Sequence, residues 1–210
     1  DSLEYAGYTN IAYRNSTNWS NRVDVTTSTD RSSINPSVIV DSSSTVHISY
    51  HSNEYAGTRY NVAYRNSTNW SNRVDVTTST SINSYDPSIA VDYSGVVHAV
   101  YRSNELNSTY QNIAYRSSAD SWAARTDLTS IWDTNTRSPA AAVDASGTVH
   151  IVYESKEYNP TYYNLAYRNS LNWSSRVDLT TTTSSDINFL GRGIVVDSSG
   201  VVRVVYSSKE

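Results

Sequence analysis

The sequence predicts an all-β protein of the β-propeller class, with four blades of about 51 residues and four antiparallel strands in each. Two observations carry this expectation. First, one unit occurs four times: AYRNSTNWSNRVDVTTST at Ala12–Thr29 recurs unchanged at Ala63–Thr80, and weaker copies begin at Ala114 and Ala166. Tyr13, Tyr64, Tyr115 and Tyr167 mark the period at 51, 51 and 52 residues. Second, apolar residues recur at period 2 and not 3.6, so each unit reads as short strands and no stretch reads as a helix. A fixed period of roughly this length, built from four strands, is the signature of a propeller blade. One such unit cannot bury enough apolar surface alone, whereas four stacked units can.

The unit that begins after Asn35 shows the elements in order. Ser37–Val40, an apolar run after a proline, is strand A. Asp41 opens a turn whose other copies end in Gly95, Gly147 and Gly200, where a left-handed backbone costs little. Val46–Tyr50 alternates and is β-branched, which makes it strand B. A polar stretch, Ser52–Arg59, leads to strand C at Tyr60–Arg65, and a tight segment carrying Trp70 leads to strand D at Arg73–Thr77. Strand A is expected innermost, because Ala90, Ala140, Ala141, Ala142 and Gly193 are small enough for a crowded centre.

The blades fall at roughly 35–78, 86–130, 138–181, and 190–210 with 1–28, within a single domain spanning residues 1–210. The chain starts in mid-unit, so the fourth blade takes strands A and B from one end and C and D from the other. Ser207-Ser208-Lys209-Glu210 and Asp1-Ser2-Leu3-Glu4 occupy the same repeat position, so both cannot fill one place in a closed ring. Closure within one chain is the first expectation. Two chains forming an eight-bladed ring, or ends that link neighbours head to tail, are the alternatives, since a heterologous contact that does not close makes a filament.

Composition narrows the function. A formal net charge of −4 leaves no electrostatic footprint for nucleic acid. No apolar run is long enough for a membrane span. The absence of cysteine removes disulfide and thiolate-metal chemistry. Eighteen tyrosines and five tryptophans against one phenylalanine, with abundant Ser, Thr and Asn, suggest an extracellular protein. A start at Asp1 suggests a mature or trimmed product.

The block at Pro87–Tyr101, followed by an A-Y-R-x-S-x-x-x-W block as at Ala63–Trp70, resembles the sialidase-type repeats known as BNR or Asp-box repeats. The resemblance covers nearly the whole chain. The family's box, S-x-D-x-G-x-T-W on the C–D turn, is shortened here to Ser16-Thr17-Asn18-Trp19, Ser67-Thr68-Asn69-Trp70 and Ser170-Leu171-Asn172-Trp173. Serine and tryptophan match, while aspartate and glycine do not. The resemblance implies the propeller fold. It leaves the activity open, because such repeats occur in hydrolases, lectins and structural proteins.

Most polar constellations repeat by rotation and read as structure. Trp19, Trp70, Trp122 and Trp173 plug the gaps between blades. His47, His98 and His150 share one position on strand B and are expected to hydrogen-bond between blades, with no metal site. Arg73 and its copies Arg22, Arg125 and Arg176 precede Asp75 and its copies by two residues, which points to ion pairing within a blade. The candidate ligand contacts are Glu54, Tyr55, Glu105, Glu157 and Tyr158 on the loops after strand B, and the unrepeated Trp132. Sequons at Asn15, Asn18, Asn66, Asn69, Asn107 and Asn172 are candidate glycosylation sites. No converging acid, base and nucleophile set is visible, and no cofactor is implied. Repeated equivalent surfaces suit multivalent weak binding. The reading is a non-catalytic, lectin-like module for carbohydrate or a surface partner. A self-assembling structural protein that uses its chain ends to form a homo-oligomer is the alternative, and a sialidase-like glycoside hydrolase is third.

Overall fold

The computed structural model describes residues 2–5, 7–129 and 135–208, with the side chains of 2–5 and 190–192 left aside. Trp132 lies outside the described residues. An N-terminal hairpin, β1 (Ser2–Tyr5) and β2 (Tyr8–Asn10), precedes a two-stranded sheet of β3 (Ala12–Tyr13) and β4 (Val23–Asp24). Three complete antiparallel blades follow. The first holds β5 (Ser33–Val40), β6 (Val46–Ser52), β7 (Asn61–Asn66) and β8 (Val74–Asp75). The second holds β9 (Ser84–Val91), β10 (Val97–Ser103), β11 (Asn112–Ser117) and β12 (Thr126–Asp127). The third holds β13 (Thr136–Val143), β14 (Val149–Ser155), β15 (Asn164–Asn169) and β16 (Asn172–Asp178). A terminal sheet of β17 (Asn188–Val196) and β18 (Val202–Ser207) ends the chain. The protein is nearly all β, and its blades are arranged as in a β-propeller. Among the described residues a single 3-10 turn, Ser118–Asp120, occupies the C–D turn that is one residue longer than its copies.

The innermost strands pack in series, β5 on β9, β9 on β13 and β13 on β17. Small residues permit it. Ala140 is buried on this layer. Within the terminal sheet, a Cβ added to Gly193 would stand 3.1 Å from the carbonyl oxygen of its strand partner Val205. Apolar clusters then fill the seams between neighbouring blades. One joins Val62, Tyr64 and Val76 to Ile89, Ala99 and Trp122; the next joins Val100, Ile113 and Leu128 to Val149, Ile151 and Ala166. Tryptophan acts as a plug at three seams, whereas Trp19, expected to plug a fourth, is 65% exposed. Tyr13 meets Trp70, Tyr64 meets Trp122, and Tyr115 meets Trp173, with ring centroids 5.3–5.8 Å apart.

Polar side chains lock each blade. Asp41 Oδ1 accepts from the backbone N–H groups of Ser43 and Thr45, closing the A–B turn on itself. Three copies of that turn end in glycine at φ 82–85°, and the copy without glycine places Ser44 at φ 66°. His47 bridges Asp41 at 3.1 Å and the Tyr64 hydroxyl at 2.5 Å, and His98 and His150 do the same in their blades. The expected histidine bond therefore runs within a blade and not between blades, because Tyr64 lies on the adjacent strand of the same sheet. Arg65 donates through Nε to the Tyr50 hydroxyl and through Nη1 to the Trp70 carbonyl, tying strand B, strand C and the C–D turn together. Burial pushes the hydroxyls of the equivalent Tyr101 and Tyr153 up to about 12.

Two boundaries differ from the sequence expectation. The innermost strand starts before its proline, at Ser33, Ser84 and Thr136, not after it. A bulge at Asn35, Asp86 and Ser138, all with φ of 50–52°, carries the chain past the proline and lets pairing continue. The fourth blade also differs, because β18 pairs with β17 and β3 with β4 in separate two-stranded sheets. Ser2 pairs with Asn10 as Ser52 pairs with Asn61, so the N-terminal copy holds the place that Ser208 would take.

Candidate functional site

Where the innermost strands begin and strands B end, the four copies stop resembling one another. The residue after the strand-B tyrosine is His51, Arg102, Glu154 or Ser207, and the bulge residue is Asn35, Asp86 or Ser138 in the complete blades. The left-handed bulge brings these positions into contact across blade boundaries. Asn35 Nδ2 donates to Asp86 Oδ1 at 2.8 Å, and the Asp86 backbone N–H donates to His51 Nδ1 at 3.2 Å. A backbone N–H can only donate, so His51 Nδ1 is the acceptor of this bond. Arg102 completes the cluster. Its Nη2 lies 3.0 Å from Asp86 Oδ2, its Nη1 donates to Gln111 Oε1 at 2.6 Å, and its guanidinium stands 5.2 Å over the Tyr85 ring. The His51 ring meets Tyr60 and Tyr85 edge-on. Burial raises the Tyr85 hydroxyl above its ordinary value, and Arg102 partly opposes the shift.

A second cluster forms one blade further on. Glu154, fully buried, accepts from Arg137 Nε through Oε2 and from the Phe189 N–H at 2.6 Å through Oε1. The Arg137 guanidinium lies 3.8 Å over the Tyr163 ring, with Lys156 Nζ 4.9 Å from the same ring. Beside it opens a cleft of about 440 Å³ lined by Arg137, Ser185, Asp186, Asn188, Ser207 and Ser208. Every lining side chain can donate or accept a hydrogen bond. Both carboxylates of these clusters, Asp86 and Glu154, have each oxygen occupied by a donor. They serve as anchors for two arginines.

The loop residues singled out in the sequence have other surroundings. Glu54, Glu105 and Glu157 each turn Oε2 onto the strand-D arginine of their own blade, Arg73, Arg125 and Arg176, which also binds Asp75, Asp127 or Asp178. Tyr55 and Tyr158 stand 45% exposed, each on its own blade. The sequon asparagines shape their turns: Asn15, Asn18, Asn66, Asn69, Asn107 and Asn172 each accept, through Oδ1, the N–H two residues ahead. A smaller groove of about 300 Å³ between blades is lined by Asp127, Leu128, Arg168, Trp173 and Ser174. Among the described residues no group of three or more His, Asp or Glu side chains could hold a metal ion.

No protein-family model matches the chain, and no curated protein matches it. Solved structures do resemble it. An endo-arabinase from Bacteroides thetaiotaomicron superposes with a TM-score of 0.52 at 14% identity, over 81% of this chain and 68% of that one. A Hadza microbial sialidase gives 0.50 at 10% identity, over 72% of this chain and 37% of that one. A fucose lectin from Kordia zhangzhouensis gives 0.47 at 12% identity, over 70% of this chain and 99% of that one. This chain thus spans about a third to two thirds of the two enzymes. At these identities the likeness establishes the β-propeller fold.

Proposed function

We propose that this protein is a non-catalytic, lectin-like propeller module that binds carbohydrate, with the ligand held in the cleft beside Arg137. The observation that carries this reading is the lining of that cleft: one guanidinium, one carboxylate, one amide and three hydroxyls, with Tyr163 beneath the guanidinium. Such a set exchanges hydrogen bonds with a hydroxyl-rich ligand. One observation supports a binding rather than a catalytic role. Asp86 and Glu154 have each oxygen engaged by a fixed donor. A general acid or base needs an oxygen ready to exchange a proton with substrate. Several propellers of similar shape are named for carbohydrate targets, which agrees with this class of ligand.

The test is a glycan array followed by calorimetry on the full chain. Binding should appear at one or more glycans and weaken at least tenfold in Asn188→Ala and Ser207→Ala. Absence of binding to every glycan at millimolar concentration would remove the proposal. Loss of binding in Tyr55→Ala or Tyr158→Ala, with the cleft variants unaffected, would move the site to the loops after strand B. Release of product from sialosides or arabinans would replace the lectin reading with a hydrolase.

A further inference from the structure

We infer that β18 and β3 are an interface for a second copy of this chain, each copy lending its terminal strand to complete the other's first half-blade. Three contacts made by the complete blades are each interrupted here, and the missing partners lie toward opposite ends of the chain. The tyrosine–tryptophan plug runs Tyr13–Trp70, Tyr64–Trp122 and Tyr115–Trp173. The next member of the series would join Tyr167 to Trp19, and Trp19 is 65% exposed. The arginine–tyrosine bond runs Arg65–Tyr50, Arg116–Tyr101 and Arg168–Tyr153. The next would join Arg14 to Tyr206. Arg14 already donates to the Trp19 carbonyl as its copies do to theirs, while Tyr206 is 40% exposed and its three copies are buried.

The third interruption is in the apolar layer. Ile39 on β5 packs against the apolar cluster that holds Ile89 on β9. The residues at the same two repeat positions across the open junction are Val38 on β5 and Val195 on β17, 58% and 60% exposed. Val205 is 76% exposed, whereas Val100 and Val152 at the same position are fully buried. An edge strand with unpaired backbone and exposed valines is a template for strand addition. The strand-B to strand-C register of the complete blades, His47 opposite Asn66 and Tyr50 opposite Ala63, sets Arg203 opposite Asn15 and Tyr206 opposite Ala12. That pairing stops short of β1, so the hairpin stays in place. In this chain the two edges are not paired with each other, and a second copy presents both. Reciprocal exchange gives a closed two-fold contact and eight blades, within the roughly four to eight that propellers use.

The protein contains no cysteine, so an engineered pair reports the pairing directly. Asn15→Cys with Arg203→Cys should form a disulfide across the junction. Under non-reducing electrophoresis the expected product is a covalent dimer of twice 23.3 kDa. A cross-link that leaves the chain at monomer mass means closure within one chain and overturns the proposal. Sedimentation of the native chain should show a species larger than 23.3 kDa at micromolar concentration, shifted to monomer by Val205→Lys or Trp19→Ala. Both sites are exposed in the single chain, so these variants should keep its fold, checked by circular dichroism. A native chain that sediments only as monomer also overturns the proposal. Neither readout depends on glycan binding.

Discussion

The backbone N–H of Asp86 donates to Nδ1 of His51 at 3.2 Å, joining two neighbouring blades through side chains that differ from copy to copy. The imidazole is buried at 3% exposure, so removing it strands a buried donor. Leaving such a group unpaired costs about 1–3 kcal/mol. His51→Ala should lower stability by that amount in urea unfolding, and His51→Asn, which can place an acceptor nearby, should recover part of it. Equal loss in both variants would show that ring packing against Tyr60 and Tyr85, and not the hydrogen bond, is what counts.

The loop glutamates make a graded set. Glu157 has a side chain 1% exposed and pairs with Arg176 at 2.5 Å, whereas Glu54 is 18% exposed against Arg73. Breaking a buried pair leaves an uncompensated charge and costs about 3–5 kcal/mol, and the cost falls as water reaches the pair. Glu157→Ala should therefore destabilise near this figure and Glu54→Ala clearly less, measured as midpoint shifts in urea. If these glutamates instead contact ligand, both variants would lose glycan affinity while melting like the native chain.

Much of this architecture is legible in the sequence, because a repeat read four times averages out local ambiguity. The A–B turn was readable from Asp41 and the glycines of its copies, and the seam plugs from Trp70, Trp122 and Trp173. Two features were not. The bulge at Asn35, Asp86 and Ser138 looked like the start of a strand, since a proline normally opens or ends one. Its left-handed backbone is what brings Asp86 to His51 and Arg102. The signal that could have located the cluster was disagreement among copies at the residue after Tyr50, Tyr101, Tyr153 and Tyr206. The fate of the fourth blade was also hidden, because pairing of two strand edges depends on how the termini sit and not on their patterns.

Stability should fall with acid in two stages. Burial holds the His98 imidazole below its ordinary 6.5, and the Asp92 carboxylate only partly offsets this. A base whose folded pKa is depressed binds more protons when unfolded, so stability drops as pH falls below about 6.5. Asp197 is held near about 2, chiefly by the Ser199 hydroxyl, so its contribution is present above the usual carboxylate range and lost as pH falls toward 2. Thermal melts should give the highest Tm between about pH 7 and 9, a first decline between pH 7 and 5, and a steeper one below pH 4. His98→Gln should reduce the first decline and leave the second.

The seam plugs should differ in their energetic weight. Trp122 is 6% exposed and packs among Val62, Tyr64, Val76 and Ile89, while Trp173 is only half-buried against Tyr115. Truncating a buried tryptophan removes its transfer free energy and leaves a cavity that a rigid sheet seam cannot close, for a total of about 3–5 kcal/mol. Trp122→Ala should reach that range, and Trp173→Ala should cost less. Trp122→Phe should fall between native and alanine, because the ring still meets Tyr64 while part of the volume is lost. The comparison is read from urea midpoints at constant slope. A change in slope for Trp122→Ala would mean that the blades on either side of this seam no longer unfold together, which the continuous cluster from Val62 to Trp122 argues against.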